Sequence, residues 1–240
     1  MKPNIQLAKT ITPDGQNLVL SQHDHDFTIS LNQHPLMSSR EHESELELAR
    51  LGCYHVRKRR HPQVLIGGLG MGFTLRQTLD LLPEKATVTV AELIPEVLTW
   101  NRNFLGDLTK HPLQDPRVAV KICDVRDILY GSQNHFDVIL LDVDNGPRAM
   151  THSDNVELYQ PVGLHLMMQA LKQDGCLAIW SVTGDAQFER VLKREKFSFN
   201  LIRVPASKSA KSNNRCIWLI AQDERWLPQR SDSPFGYQFP

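Results

Sequence analysis

Three glycines and four acidic residues carry most of the chemical content of this 240-residue chain. Gly68, Gly70 and Gly72 follow the apolar run Val64-Leu65-Ile66-Gly67 and form G-x-G-x-G at the junction of a strand and a helix. Glycine lets the backbone turn sharply and approach a ligand that a Cβ would push away. The helix start then offers that ligand free amides and the positive end of its dipole. Glu92 ends the next apolar run, twenty residues past Gly72, where a carboxylate can accept hydrogen bonds from both hydroxyls of a ribose. Asp124-Val125 closes the third run, where an acidic side chain and a backbone amide can read an adenine edge. Asp142 and Asp144 close the fourth. Two carboxylates beside a bound nucleoside suit proton transfer or the binding of a cation.

Each acidic residue also has a plainer use. Glu92 could cap a strand end, but its spacing from the glycines favours a ribose ligand. Asp124 could cap the turn Val125–Tyr130, and both readings of it stand open. Asp142 and Asp144 could fill a turn, although their position after a densely apolar central strand favours a functional role.

The apolar runs along the chain give the frame that would hold these residues. From residue 63 strands and helices alternate, the pattern of a parallel sheet covered on both faces. Strands are expected over Gln63–Gly67, Ala86–Glu92, Arg117–Ile122, Phe136–Asp142, Cys176–Ser181, Phe197–Val204 and Arg215–Ala221. Helices are expected from the glycine turn to Leu82, from Pro95 to about Leu105, near Asn155–Gln173 with a stop at Asp174-Gly175, and over Ala186–Arg194. Ligands of such a sheet lie over the C-terminal ends of the strands, which is where all the acidic residues above fall.

Ahead of this unit, Asn17–Ser21 and Phe27–Leu31 read as a β-hairpin joined by the polar Gln22-His23-Asp24-His25-Asp26. Ser38 or Ser39 could cap a helix through Glu41–Tyr54, whose early glutamates either answer the helix dipole or face a cationic substrate. The expected division is an N-terminal hairpin segment (1–38), a Rossmann-like nucleoside-binding domain (39–222) and a tail (223–240). The tail is rich in proline and aromatics and suits a wrap over the domain or over a neighbouring subunit.

Composition excludes several classes of partner. Lys plus Arg equals Asp plus Glu, 27 each, so no bulk positive field draws the protein to nucleic acid. The run Arg57-Lys58-Arg59-Arg60 reads as a solvated turn before a strand. Cys53, Cys123, Cys176 and Cys216 lie far apart, as expected of free thiols rather than a disulfide frame or zinc site. His23 and His25 on a turn are too few ligands for a metal. No apolar run approaches a membrane span and the first residues lack the apolar core of a leader, so a cytoplasmic protein with no membrane partner is expected.

The nucleotide class follows from the turn and the end of the sheet. Dehydrogenases usually carry G-x-G-x-x-G, and nothing here resembles the phosphate loop G-x-x-x-x-G-K-[ST]. The last two strands, joined by the polar Ser207–Asn214, suit an antiparallel seventh strand at the sheet edge. Together these favour an α/β, Rossmann-like class I S-adenosylmethionine-methyltransferase fold. It would have a mostly parallel seven-stranded sheet and an antiparallel last strand.

At these residues the chain resembles the spermidine synthase family of aminopropyltransferases. The matching runs are Val64-Leu65-Ile66-Gly67-Gly68 with Thr74-Leu75-Arg76, Val90-Ala91-Glu92, Asp115-Pro116-Arg117-Val118, and Phe136–Asp142 continued by Asp144 and Gly146-Pro147. A weaker match runs through Gln16–Leu20, Leu31 and Arg40. The resemblance implies that Gln16, Glu92, Asp124, Val125 and Pro147 contact a thioether nucleoside. It implies that Asp142 takes the proton from an attacking amine and that Asp144 holds that amine. Decarboxylated S-adenosylmethionine, or S-adenosylmethionine itself, would be a co-substrate with no tightly bound cofactor, and a homodimer would match the family.

The chain departs from the family pattern in the turn. Gly68-Leu69-Gly70-Met71-Gly72-Phe73 has no carboxylate where the family grips the aminopropyl ammonium with an aspartate. The family's Tyr-His-Glu run is absent, and His42, Glu43, Ser44, Glu45 and Glu47 occupy its neighbourhood. Three readings follow: aminopropyl transfer to a small amine, methyl transfer from S-adenosylmethionine, or nucleoside binding without catalysis.

Overall fold

The computed structural model describes residues 3–143, 146, 157–210 and 215–227. Two sheets follow one another along the chain. The first is an antiparallel meander of four strands in sequential order: β1 (Ile5–Ile11), β2 (Asn17–His23), β3 (Asp26–Leu31) and β4 (His34–Ser38). The hairpin expected from the sequence is its middle pair, with Leu18 opposite Leu31 and Leu20 opposite Ile29. Those four side chains are buried and join the main core, which is why their alternating pattern is legible. The outer strands β1 and β4 escape that reading because they are mostly exposed or half-buried and carry no clean alternation.

The second sheet has seven strands in the order β10-β11-β9-β8-β5-β6-β7. Its members are β5 (Gln63–Gly67), β6 (Thr87–Glu92), β7 (Val118–Ile122), β8 (Phe136–Leu141), β9 (Leu171–Ser181), β10 (Ser198–Val204) and β11 (Arg215–Ala221). Neighbours from β7 to β9 are parallel, and β11 runs antiparallel to both β9 and β10. The antiparallel strand is therefore inserted between its neighbours, and β10 forms the edge. A sequence shows that two strands are joined by a loop but not which of them moves inward, so the expected edge position is corrected here.

Both faces of this sheet are buried. Val64, Ile66, Val138 and Leu140 face one core with Leu48, Leu75 and Trp100; Leu65, Ile139 and Leu141 face the other with Leu129, Leu164 and Leu192. Helices α1 (Glu43–Cys53), α2 (Phe73–Leu81) and α3 (Pro95–Trp100) contribute to the first core. Helices α4 (Val125–Tyr130), α5 (Pro161–Ala170) and α6 (Ala186–Arg194) contribute to the second. After α3 the chain passes through a π-helical turn (Asn101–Leu105) and a 3-10 turn (Gly106–Thr109).

Three local expectations are revised. The N-cap of α1 is His42 rather than a serine; it makes no side-chain cap bond, and its ring stacks on Phe73 at 4.1 Å between centroids. Asp174-Gly175 does not stop a helix: α5 ends at Ala170 and β9 begins at once, with a register shift between Phe136 and Val138 that leaves Asp174-Gly175 in a bulge. The basic run is not wholly solvated, because Arg59 pairs with Asp137 and Asp174 across the N-terminal ends of the strands. Of the tail, Glu224–Trp226 forms a 3-10 turn, Leu227 is buried, and residues 228–240 lie outside the described residues. Among the described residues no helix is long and apolar enough to cross a membrane.

Candidate active site

The glycine turn is built as the sequence requires. Gly68 has φ +87°, and a Cβ there would stand 2.3 Å from the carbonyl oxygen of Asp142. Only glycine admits both that backbone region and that approach. The turn is fixed from two sides. Asn101, buried in the π-helical turn, donates from Nδ2 to the Gly70 carbonyl at 2.8 Å. Glu92, buried at the end of β6, accepts from the Leu69 amide at 2.9 Å and the Ile94 amide at 2.8 Å. Burial raises the pKa of Glu92 while these amides oppose the rise.

Around this turn lie two cavities that share a wall. The first, about 120 Å³, is bounded by Gly68, Gly70, Glu92, Ile94, Asp124, Val125 and Asp142, with Thr12-Pro13-Asp14 of the β1–β2 turn reaching over it. The second, about 470 Å³, is bounded by Glu41, Glu45, Leu69, Met71, Phe73, Thr74, Trp180 and Arg215. Leu36, Met37, Gly70, Asp142 and Val143 line both. Asp142 thus stands where the two spaces meet.

The electrostatics of that wall are unusual. Asp142 accepts a 2.7 Å hydrogen bond on Oδ2 from the Thr74 hydroxyl. Burial pushes its carboxyl up to about 6, against the lowering effect of that bond. Glu45 is pushed up to about 8, first by burial and then by the neighbouring charge of Asp142. A carboxylate with few partners and a raised pKa is able to exchange a proton near neutrality.

The residues singled out from the sequence divide clearly. Gly68, Gly70, Glu92, Asp124, Val125 and Asp142 come together around the first cavity. Asp124 also does the plainer job, capping α4 through the Arg126 amide at 2.8 Å while its carboxylate holds the Arg126 guanidinium. Gln16 does not line the cavity; its Nε2 donates to Asp14 at 2.7 Å and its Oε1 accepts from Asn32 at 3.0 Å, so it braces the turn that does. Gly72 likewise stands behind the wall, in the left-handed region at the start of α2, where a Cβ would press on the Asn101 side chain. Asp144 and Pro147 lie outside the described residues.

Of the glutamates in and before α1, Glu41 and Glu45 line the second cavity, whereas Glu43 and Glu47 turn inward and pair with Arg50. Sequence reading missed Asn101, Cys123, Trp180 and Arg215. The last two line one cavity because β11 runs antiparallel and therefore begins near the end of β9. No spacing along the chain signals that neighbourhood. Among the described residues no group of three or more His, Cys, Asp or Glu could hold a metal ion.

The strand order, the antiparallel insertion and the glycine turn define the class I S-adenosylmethionine-methyltransferase-like fold. Residues 50–195 match the spermine/spermidine synthase domain family, more than half of the chain, and the chain belongs to that family. Over 140 residues it is 31% identical to polyamine aminopropyltransferase 2 of Ralstonia nicotianae, which is 57% of this chain and 27% of that protein. Polyamine aminopropyltransferase 1 of the same organism matches at 31% over 140 residues, 57% of this chain and 26% of that protein. The match therefore spans only about a quarter of the length of these curated relatives.

Among solved structures, a spermidine synthase from Thermotoga maritima superposes with a TM-score of 0.71 at 18% identity, covering 94% of this chain and 77% of that one. A spermidine synthase in complex with the transition state analogue AdoDATO gives 0.71 at 18%, covering 94% and 76%. A probable spermidine synthase from Corynebacterium glutamicum gives 0.65 at 16%, covering 93% and 81%. At such identities the likeness is one of fold.

Proposed function

We propose that this chain is a spermidine-synthase-like transferase that moves an aminopropyl group from decarboxylated S-adenosylmethionine to a small amine, as in polyamine biosynthesis. The observation that carries the reading is Asp142, a carboxylate with a raised pKa on the wall between a cavity below the glycine turn and a second, larger one. The donor nucleoside occupies the first cavity, with Glu92 toward the ribose and Asp124-Val125 toward the adenine. Gly68 and Gly70 line its path, Gln16 and Gly72 hold that wall from behind, and Pro147 is a further contact of the nucleoside. The amine occupies the second, with Asp144 as a further holder of its charge.

In the reaction the amine nitrogen attacks the aminopropyl carbon bonded to the sulfonium. The new C–N bond forms as the C–S bond breaks, and the bonding pair stays on sulfur, so methylthioadenosine leaves neutral. The proton shed by nitrogen passes to Asp142, which must be ionised beforehand. Holding nucleophile and leaving group in line across one shared wall removes much of the entropic barrier. No tightly bound cofactor takes part. A cytoplasmic homodimer belongs to the same reading.

The turn supports one alternative. Leu69 and Met71 present apolar atoms near the cavities where a cationic donor tail needs a carboxylate, which favours S-adenosylmethionine itself and methyl transfer. Calorimetry against S-adenosylmethionine, its decarboxylated form and methylthioadenosine separates the two, and preference for the carboxylated donor sinks aminopropyl transfer. Incubation of the decarboxylated donor with a panel of amines should release methylthioadenosine, and Asp142→Asn should stop that release.

A further inference from the structure

The larger cavity holds a cation as well as acids. Arg215, the first residue of β11, lines it together with Glu41, Glu45, Asp142, Trp180 and Thr183. Its ion pair is lopsided: Nη2 lies 3.3 Å from Glu41 Oε2, but the arginine side chain is 22% exposed and the glutamate 57%. An exposed partner at that distance holds a sheltered guanidinium only weakly. Arg215 also lies beyond residues 50–195, so the family match says nothing about it.

Arg215 is also felt by Glu45, whose pKa its charge lowers against burial. A guanidinium only donates hydrogen bonds, and so does an ammonium. A plain diamine would therefore bring a second donor and a second positive charge to Arg215. A carboxylate would satisfy the guanidinium. Glu45 and Asp142, on the wall of the same cavity, offer acceptors for an amine.

We propose that the acceptor is an aliphatic amine that also bears a carboxylate, with its amine toward Asp142 and Glu45 and its carboxylate toward Arg215. This deepens the transferase reading and rests on its assignment of the larger cavity to the acceptor. The acceptor carboxylate displaces Glu41 from Arg215, which the exposure of Glu41 allows.

The test compares ligands that differ only by the carboxylate: ornithine against 1,4-diaminobutane, and lysine against 1,5-diaminopentane, titrated calorimetrically into the full chain saturated with methylthioadenosine. The amino acid of each pair should bind at least about tenfold more tightly, and Arg215→Gln should abolish or reverse that preference. Arg215→Lys, which keeps the charge, should retain part of it. Thermal melts of the variants confirm that they fold.

Equal or tighter binding of the diamines, binding of none of the four, or a preference that survives Arg215→Gln overturns the proposal. If Arg215→Gln instead weakens only S-adenosylmethionine relative to its decarboxylated form, the carboxylate belongs to the donor and the proposal also falls. Titrations repeated without methylthioadenosine keep the two readings apart. Failure of that nucleoside to bind removes the transferase assignment, while the preference within each amine pair is still measured.

Discussion

Two aspartates at opposite ends of one strand have been given opposite lives. Asp137 lies at the N-terminal end of β8, and Asp142 follows the C-terminal end of the same strand. Burial pushes the Asp137 carboxyl up, but Lys172 at 2.7 Å, the Gln63 amide at 2.7 Å and Arg59 together hold it below the usual carboxylate range. Asp142 meets only the Thr74 hydroxyl among the described residues, and burial carries it up to about 6. The bottom of the sheet uses its charge to tie β8, β9 and the segment before β5 together. At the top the Asp142 carboxylate stands between two cavities with no cation to hold its charge among the described residues. In this fold the number of cationic partners separates a carboxylate held below its ordinary pKa from one carried above it.

The contrast can be broken at either end. Asp142→Asn should lower methylthioadenosine release by about 10²–10⁴-fold, the usual worth of a general base, with little change in thermal stability. Asp137→Ala removes the acceptor shared by Lys172, the Gln63 amide and Arg59, leaving Arg59 with Asp174, and should destabilise the fold by about 3 kcal/mol in urea titrations while leaving nucleoside affinity intact. Exchanged outcomes, with activity lost at Asp137 and stability lost at Asp142, would overturn the comparison.

Smaller effects sharpen it. The rate should rise with pH through about 6 as Asp142 ionises. Thr74→Val removes the bond that favours the charged form, so the acid limb of the pH–rate profile should move to higher pH. The smallest effect concerns Glu45, whose folded pKa of about 8 lies above its ordinary value of 4.5. The folded chain then binds the proton more tightly than the unfolded one. The associated stability is full below about 4.5 and is lost as pH rises through about 8. Melting temperature should therefore fall between neutral pH and pH 9, and Glu45→Gln should flatten that slope.

Much of this arrangement is legible in the amino-acid sequence itself. The central strands read clearly because both faces are buried and their residues are apolar throughout, as in Phe136–Leu141, where Asp137 is the one interruption. Glu92 and Asp142 are within reach because parallel strands all deliver their final residues to one side of a sheet. Strands β1 and β4 are not, since half-exposed edges carry little pattern. Asp174-Gly175 misleads for a physical reason: a bulge needs the same compact, turn-forming residues as a helix stop. Arg215 and Trp180 stay hidden because their place on one cavity arises from the direction of β11, a property of pairing rather than of any local run.

That same strand has a consequence for how the molecule comes into being. Strand β11 is the last in chain order, yet it supplies the hydrogen bonds on both flanks that join β9 to β10. A nascent chain that has just produced β10 cannot dock it correctly, since the seat beside β9 must be kept for residues still to be synthesised. The final pairing is non-local and late, the kind of step that slows folding and leaves strand edges open. Trp218, fully buried on β11 against Phe188, closes the second core in the same event that brings Arg215 to the larger cavity. The smaller cavity can exist before that moment; the larger one is completed only as the sheet is finished.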